Sequence, residues 1–592
     1  MALNPEAAYR ERLAARQAAV ERLERGDARI ANARLAVFVA AVAVAWLAFG
    51  RGAFSAWWLI VPGAAFVALL VIHDRLLTAR ARAARAVAFY ELGLARLDGT
   101  WQGRGIDGAR FERDDHPYAR DLDLFGRGSL FERLCTARTA AGEETLARWL
   151  LAPAPPAEVA ARQGAVEELR GRLDLREDLS VLGADVRAQV DPVRLAAWGA
   201  GGPALPGRGW WIAAGLLSLA GVAAIAAWPL GAGPLPLVAV GICDWLFLHR
   251  LKVPLGAAAA AVEKPGRDLA VLAEVLARLE REEASSPRLA ALLATLRDEG
   301  TPASRRIAQL ARRIELLQAQ ANQFFAPIAF LLLWPVHLGY AIEAWRRRHG
   351  AQVARWLDAV GELEALSSLA SWAFENPADP FPSLEEGPAR YEGEALAHPL
   401  LPGAVANDVR LGGALRALVI SGSNMSGKST MLRTVGINAV LAQAGAPVRA
   451  RALRLSPLRV GGTLRVQDSL QQGTSRFYAE LTRLKQLVEI AEGELPLLFL
   501  IDEIFHGTNS HDRRIGAEAV LRGLLDRGAI GLLTTHDLAL AQAAEALAPR
   551  AANVHFEDHL EAGRLAFDYR MRPGVVQKSN ALELMRAVGL EV

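Results

Sequence analysis

The residues best equipped for chemistry stand in one run in the last third of the chain. Gly422, Ser423, Asn424, Met425, Ser426, Gly427, Lys428 and Ser429 follow the spacing GxxxxGK[ST], with Thr430 next. Glycines and small side chains let backbone N–H groups turn inward around an anion. A helix that starts at such a loop adds its own free N–H groups. At this spacing Lys428 reaches the β- and γ-phosphates of a nucleotide, and the Ser429 hydroxyl is a ligand for Mg²⁺. Asp502 and Glu503 follow the apolar run Leu497–Ile501. An acid at the end of a buried strand beside such a loop is the expected second Mg²⁺ ligand. Glu503 is then placed to orient or deprotonate the attacking water. His536, after the apolar run Ala529–Leu533, can hydrogen-bond the γ-phosphate or that water. The expected cofactors are ATP and Mg²⁺, and no structural metal is expected.

These residues need a scaffold that brings strand ends together. Ala417–Ile420 predicts a strand before the loop, and Thr430–Leu441 predicts a helix after it. From about residue 384 the pattern alternates strands and helices. Upstream, between Asp121 and Phe374, it is mostly helical, with PAPPAE at 153–158 as a break.

Several motifs in one order carry a family resemblance. The loop reads GSNMSGKST. It is followed by DSLQQGTSRF at 468–477, DEIFHGTN at 502–509, TTHD at 534–537 and Asn553-Val554-His555. Ala566-Phe567 and Lys578-Ser579 close the series. From about His398 to Leu590 the chain resembles the ATPase domain of the MutS family. More weakly, Asp121–Ala154 resembles the start of the MutS core, and Trp356–Phe374 its end. The closest likeness is to the MutS-related group that carries membrane spans. No segment resembles the mismatch-reading domain. Phe89-Tyr90-Glu91 spells the family's F-x-E wedge, but without the surrounding domain. The resemblance implies a homodimer with each nucleotide held between two subunits. It places Ser475 against the partner's γ-phosphate, Thr508 and Asn509 at the same interface, and Tyr569 against adenine. His398-Pro399 also matches a family motif, with no role we can derive.

Outside these motifs the chain is unusually apolar. It has 592 residues, 52% of them hydrophobic and 22% charged, with a mean hydropathy of +0.17. That excludes a disordered chain and a small stapled scaffold. Cys135 and Cys243 form no zinc pattern. The apolar excess is concentrated in Leu35–Gly50, Ala53–Ile72, Trp210–Leu230 and Leu235–Leu248. About 20 residues of helix cross a bilayer core of about 30 Å, so these runs predict two transmembrane hairpins. Asp244 weakens the fourth run. Phe324–Ile342, broken by Pro327, Pro335 and His337, is expected to be buried or interfacial. Arginines crowd the outer flanks of the first hairpin, only Arg51 lies between its two runs, and Arg250 and Lys252 follow the fourth run. The positive-inside rule then puts the ATPase domain in the cytoplasm of a bacterial-type cell membrane, with the chain multi-pass.

The expected fold is multidomain: an α-helical core or lever domain with transmembrane helical hairpins, then an α/β P-loop NTPase domain of ABC/MutS type. Residues 1–34 form a charged cytoplasmic arm, 35–72 a first hairpin and 73–120 a linker. Residues 121–208 begin the core, 209–248 form the second hairpin, 249–383 the lever, and 384–592 the ATPase domain. The net charge of +3 does not demand nucleic acid. Two functions compete. One is a membrane-anchored MutS-type ATPase linked to mismatched DNA and its repair. The other uses the same ATPase for a conformational or signalling task in the membrane, without DNA. An ABC transporter half fits poorly, since no LSGGQ stands between the loop and Asp502.

Overall fold

A computed structural model describes residues 4–52, 55–187, 191–259, 266–297, 300–464, 476–505, 510–537, 540–561 and 564–576. The expectations for Ser475, Thr508, Asn509 and Lys578-Ser579 lie outside the described residues. The chain divides into two units that interleave in sequence. One comprises residues 1–100, 173–281 and 296–356, the other residues 101–172, 282–295 and 357–592.

The first unit is helical. Asn4 caps the helix Pro5–Ala45 by accepting from Ala7 N at 3.1 Å, with proline at the first helical position. Short helical turns at Trp46–Gly50 and Ala56–Leu59 follow, and the chain returns as the helix Ile60–Leu97. The arms are antiparallel neighbours: His73 Nδ1 is 3.3 Å from Asp27, and Arg34 lies over the Phe66 ring. Leu35, Phe38, Val39 and Val42 point outward, as do Val61, Val67 and Val71. Solvent-facing aliphatic side chains on both arms suit a lipid surround. Beyond the apolar runs, the pair is fastened by buried polar groups. Glu177 accepts from Tyr90 Oη at 2.5 Å and pairs with Arg16 at 2.7 Å. Residues 73–97 are therefore not a linker. They continue one helix and bury Phe89 and Tyr90, so the F-x-E here is a packing feature.

The second hairpin has arms Arg208–Ala227 and Leu235–Ala259. Among the described residues, three helical segments are long and apolar enough to cross a membrane: Pro5–Gly50, Trp57–Leu97 and Arg208–Ala232. The helix Leu235–Ala259 is not one of them, because Asp244, Arg250 and Lys252 dilute it. The stretch 324–342 is not one helix. The helix Ala326–Leu331 stops, Leu333 takes φ of 45°, and a new helix runs Trp334–Glu375. Leu333 and Val336 pack on Ala214 and Leu251, and the Ser218 hydroxyl donates to Leu332 O at 2.9 Å. In the helix Ala303–Gln318, Ile307, Leu310 and Ile314 are buried.

The second unit holds ten strands among the described residues. They are β1 Ser383–Leu384, β2 Arg390–Leu396, β3 Asn407–Gly412, β4 Ala417–Ser421, β5 Ala452–Leu455, β6 Arg459–Thr463, β7 Leu497–Ile501, β8 Ile530–Thr535, β9 Ala551–Glu561 and β10 Arg564–Pro573. One sheet runs β1-β5-β2-β3, and the larger runs β10-β9-β4-β8-β7-β6. In the larger sheet β9, β4, β8, β7 and β6 are parallel, and β10 closes the edge antiparallel to β9. The central strands β4, β7 and β8 are buried at every residue, as continuous apolar runs covered on both faces should be. In a parallel sheet of this kind, ligands gather beyond the carboxyl ends of the strands. The loop after β4, the acids after β7 and His536 after β8 all lie at that edge.

Candidate functional site

The loop after β4 is shaped by its glycines. Gly422 has φ of 152°, and a Cβ there would stand 2.8 Å from Ser426 Oγ and 3.0 Å from Phe556 O. Gly427 has φ of 102° and caps the helix Lys428–Ala444 without any side-chain acceptor. The first N–H groups of that helix are thus left for something other than a cap. The Ser423 and Ser426 hydroxyls are buried without a hydrogen-bond partner. Free helical N–H groups and two orphaned hydroxyls suit a polyanion.

Lys428 is buried, and its Nζ donates to the carbonyls of Gly422 and Ser423, each at 2.8 Å. Burial holds its ammonium below the ordinary lysine value, although the nearby Glu503 and Asp502 carboxylates oppose the shift. An arriving phosphate would add negative charge on the same side as those acids.

The acidic side is built from strand ends. The Thr534 hydroxyl at the end of β8 donates to Asp502 and accepts from Glu503 N at 3.2 Å. Glu503 Oε1 lies 3.4 Å from His536 Nδ1. Glu503 and Phe505 have φ of 52° and 56°, in the left-handed region. Their backbone is held from several directions. Glu480 accepts from Phe505 N, and Arg513 Nε donates to Phe505 O at 3.1 Å.

A cavity of about 640 Å³ opens over the loop. Asn424, Met425, Gly427, Lys428, Ser429 and Thr430 line one side of it, with Glu503 among them. His398, residues 401–405, Asn407 and Tyr569 also line it, and a Cβ at Gly427 would stand 3.1 Å from the Tyr569 ring. Tyr569 sits in an irregularity of β10 between Phe567 and Met571, with φ of 55°. Asn407 secures it: Nδ2 donates to Tyr569 O at 2.9 Å, and Oδ1 accepts from Met571 N at 2.7 Å. Tyr569 is partly exposed at the cavity and is no core strand residue.

The structure thus gathers the loop, Lys428, Ser429, Glu503 and Tyr569 around one space, with Asp502 and His536 next to Glu503. Our sequence reading missed Thr534 and Asn407, and it gave His398 no role. Thr534 did carry a signal, being a hydroxyl at the end of an apolar strand directly before His536. Asn407 carried none beyond its short distance from His398-Pro399.

His398 gives the site a pH dependence. Burial, with help from Arg433, lowers its pKa to about 4, and its Nδ1 accepts from Leu400 N at 3.2 Å. The folded value lies below the unfolded one. The neutral ring therefore stabilises the fold fully above about pH 6.5, and this stabilisation is lost as pH falls toward 4. The loss is up to about 3 kcal/mol. Thermal unfolding in detergent at pH 7 and pH 4 should show a larger drop for the parent than for His398→Gln. Equal drops would rule out this contribution.

Comparison with known proteins follows the same outline. Residues 418–591 match the family described as MutS domain V. An "Endonuclease MutS2" of Thermus thermophilus is 33% identical over 246 residues, 40% of this chain and 31% of that protein. A "DNA mismatch repair protein MutS 2" of Halobacterium salinarum is 34% identical over 260 residues, 43% of this chain and 30% of that protein. The chain thus spans less than a third of the length of these two relatives. The likeness thus lies in the C-terminal α/β domain, which matches MutS domain V over residues 418–591.

Proposed function

We propose that the chain is a membrane-anchored ATPase of MutS type, with ATP and Mg²⁺ bound in the cavity over the loop and cleaved at a dimer interface. The observation that carries this reading is the convergence on one cavity of an uncapped helix start, Lys428, Ser429 and Glu503. Lys428 binds the β- and γ-phosphates. Ser429 and Asp502 would hold Mg²⁺, which neutralises developing charge on the phosphate oxygens. Glu503 takes the proton of the attacking water. The new P–O bond forms as the bond to the ADP oxygen breaks, releasing ADP and phosphate. His536 orients Glu503 or the water. Tyr569 offers a ring to adenine, and Ser475 of a second copy reaches the γ-phosphate. ATP then favours the closed dimer because it binds that state better. Turnover per chain should rise with protein concentration in detergent, and a rate independent of concentration would remove the dimer from this scheme.

The three apolar helical segments with outward aliphatic side chains support anchoring in the membrane. Their arginine-rich flanks favour a cytoplasmic ATPase domain. DNA is the partner suggested by the names of the relatives, and backbone contacts to it would be salt-dependent. The same apolar segments favour the second reading, a membrane task without DNA. Titrating the detergent-solubilised protein with duplex DNA separates the two. Binding that weakens steeply with salt supports the first, and no binding at low salt leaves the second.

A further inference from the structure

Residues 115–124 form a wedge in the second unit, pressed against three elements of the α/β domain. Gly436 of the helix Lys428–Ala444 leaves room for Leu122: a Cβ there would be 2.7 Å from the Leu122 side chain. Gly462 of β6 donates its N–H to Pro117 O at 2.8 Å. In the helix Arg476–Ala491, Gln486 Nε2 donates to Asp115 O at 3.0 Å, and Arg483 donates to His116 O at 3.2 and 3.3 Å.

Asp121 is the point where these contacts meet. It is almost wholly buried. Its carboxylate accepts from Arg483 at 3.4 Å, and its backbone carbonyl accepts from Arg433 Nε at 3.1 Å. Arg433 belongs to the helix that begins at Lys428, whereas Arg483 belongs to the helix that begins just after Ser475. Gly462 makes space for the carboxylate, since a Cβ there would stand 3.0 Å from Asp121 Oδ2. One buried acid therefore fixes the phosphate-side helix against both β6 and the helix Arg476–Ala491, which also carries Glu480. The buried charge gives this joint a direction: Arg483 must stay near Asp121, because separating them strands a carboxylate in a site poor in water.

We propose that Asp121 is a positioning residue for ATP hydrolysis. It sets the angle between the helices Lys428–Ala444 and Arg476–Ala491, and with it, through Glu480 of the second helix and Phe505 N, the place of Glu503 against a bound nucleotide. This rests on the ATPase reading above. It concerns turnover, and leaves nucleotide capture by the loop alone.

The test uses the full chain in detergent. Asp121→Asn keeps the side-chain volume and removes its charge. It should lower kcat about tenfold, while affinity for a fluorescent ATP analogue stays within about twofold. Gly462→Ala, which crowds the same carboxylate, should show the same split. Arg483→Gln should resemble Asp121→Asn, and the double variant should be no worse than either single one. A kcat equal to the parent's would overturn the proposal. So would parallel losses of affinity and thermal midpoint, which mark a purely structural role, or fully additive single effects. Lys428→Met serves as the control. If it turns over like the parent, the ATPase reading itself fails, whatever Asp121 does.

Discussion

Lys428→Met should abolish ATP binding at micromolar concentrations. The parent lysine would make two charge-assisted contacts to phosphate, each contributing about 1.5–3 kcal/mol. Their loss amounts to at least about a 100-fold drop in affinity. Methionine keeps the buried stem and the packing of the helix start, so the thermal midpoint should hold. The Gly422 and Ser423 carbonyls lose a donor in this variant, and the loop should relax locally without unfolding the domain. Equilibrium binding of a fluorescent nucleotide analogue checks the expectation. Tight binding retained by Lys428→Met would count against the loop as the phosphate site.

Glu503→Gln should separate binding from cleavage. The amide matches the carboxylate in size but cannot accept the proton of the attacking water. A general base contributes about 10²–10⁴-fold, so turnover should fall by that factor. Nucleotide affinity should stay near the parent value, and the closed dimer should accumulate with ATP, visible as an ATP-dependent shift in size-exclusion elution. The Glu503 backbone contact to Thr534 Oγ1 survives the substitution. Reduced turnover would therefore report the lost base chemistry. Unchanged turnover would refute the assignment of Glu503.

The contrast between these residues and the rest of the site shows what a sequence can convey. The placement of Lys428, Ser429, Asp502 and Glu503 was legible because it depends on local backbone: a glycine-rich turn into a helix, and an acid at the end of an apolar strand. Tyr569 was readable only through resemblance, since its place at the cavity depends on an irregular β10 held by Asn407, far away in sequence. Thr534 needed knowledge that β7 and β8 are neighbours, which no local pattern supplies. The alanines and arginines of residues 73–97 mark a helix, but nothing local shows that it continues Ile60–Leu97 and packs through Tyr90 on Glu177, far away in the chain. Asp244, with Arg250 and Lys252 just beyond the run, explains the other difference, since they leave the apolar stretch of the helix Leu235–Ala259 too short and too charged. The interleaving of the two units was hidden, because helices distant in the chain pack together through contacts that composition does not record.

Met425, Glu503 and Tyr569 all hold positive φ around one cavity. A left-handed conformation costs a non-glycine residue about 1–2 kcal/mol, and glycine would relieve most of it. Selection for robustness alone therefore pulls these positions toward glycine, whereas the base role proposed for Glu503 would hold that residue in place. A descendant that kept the scaffold but lost its chemistry would be free to drift that way. Glycine at 503 in a chain that otherwise keeps these motifs would be the mark of a retired enzyme.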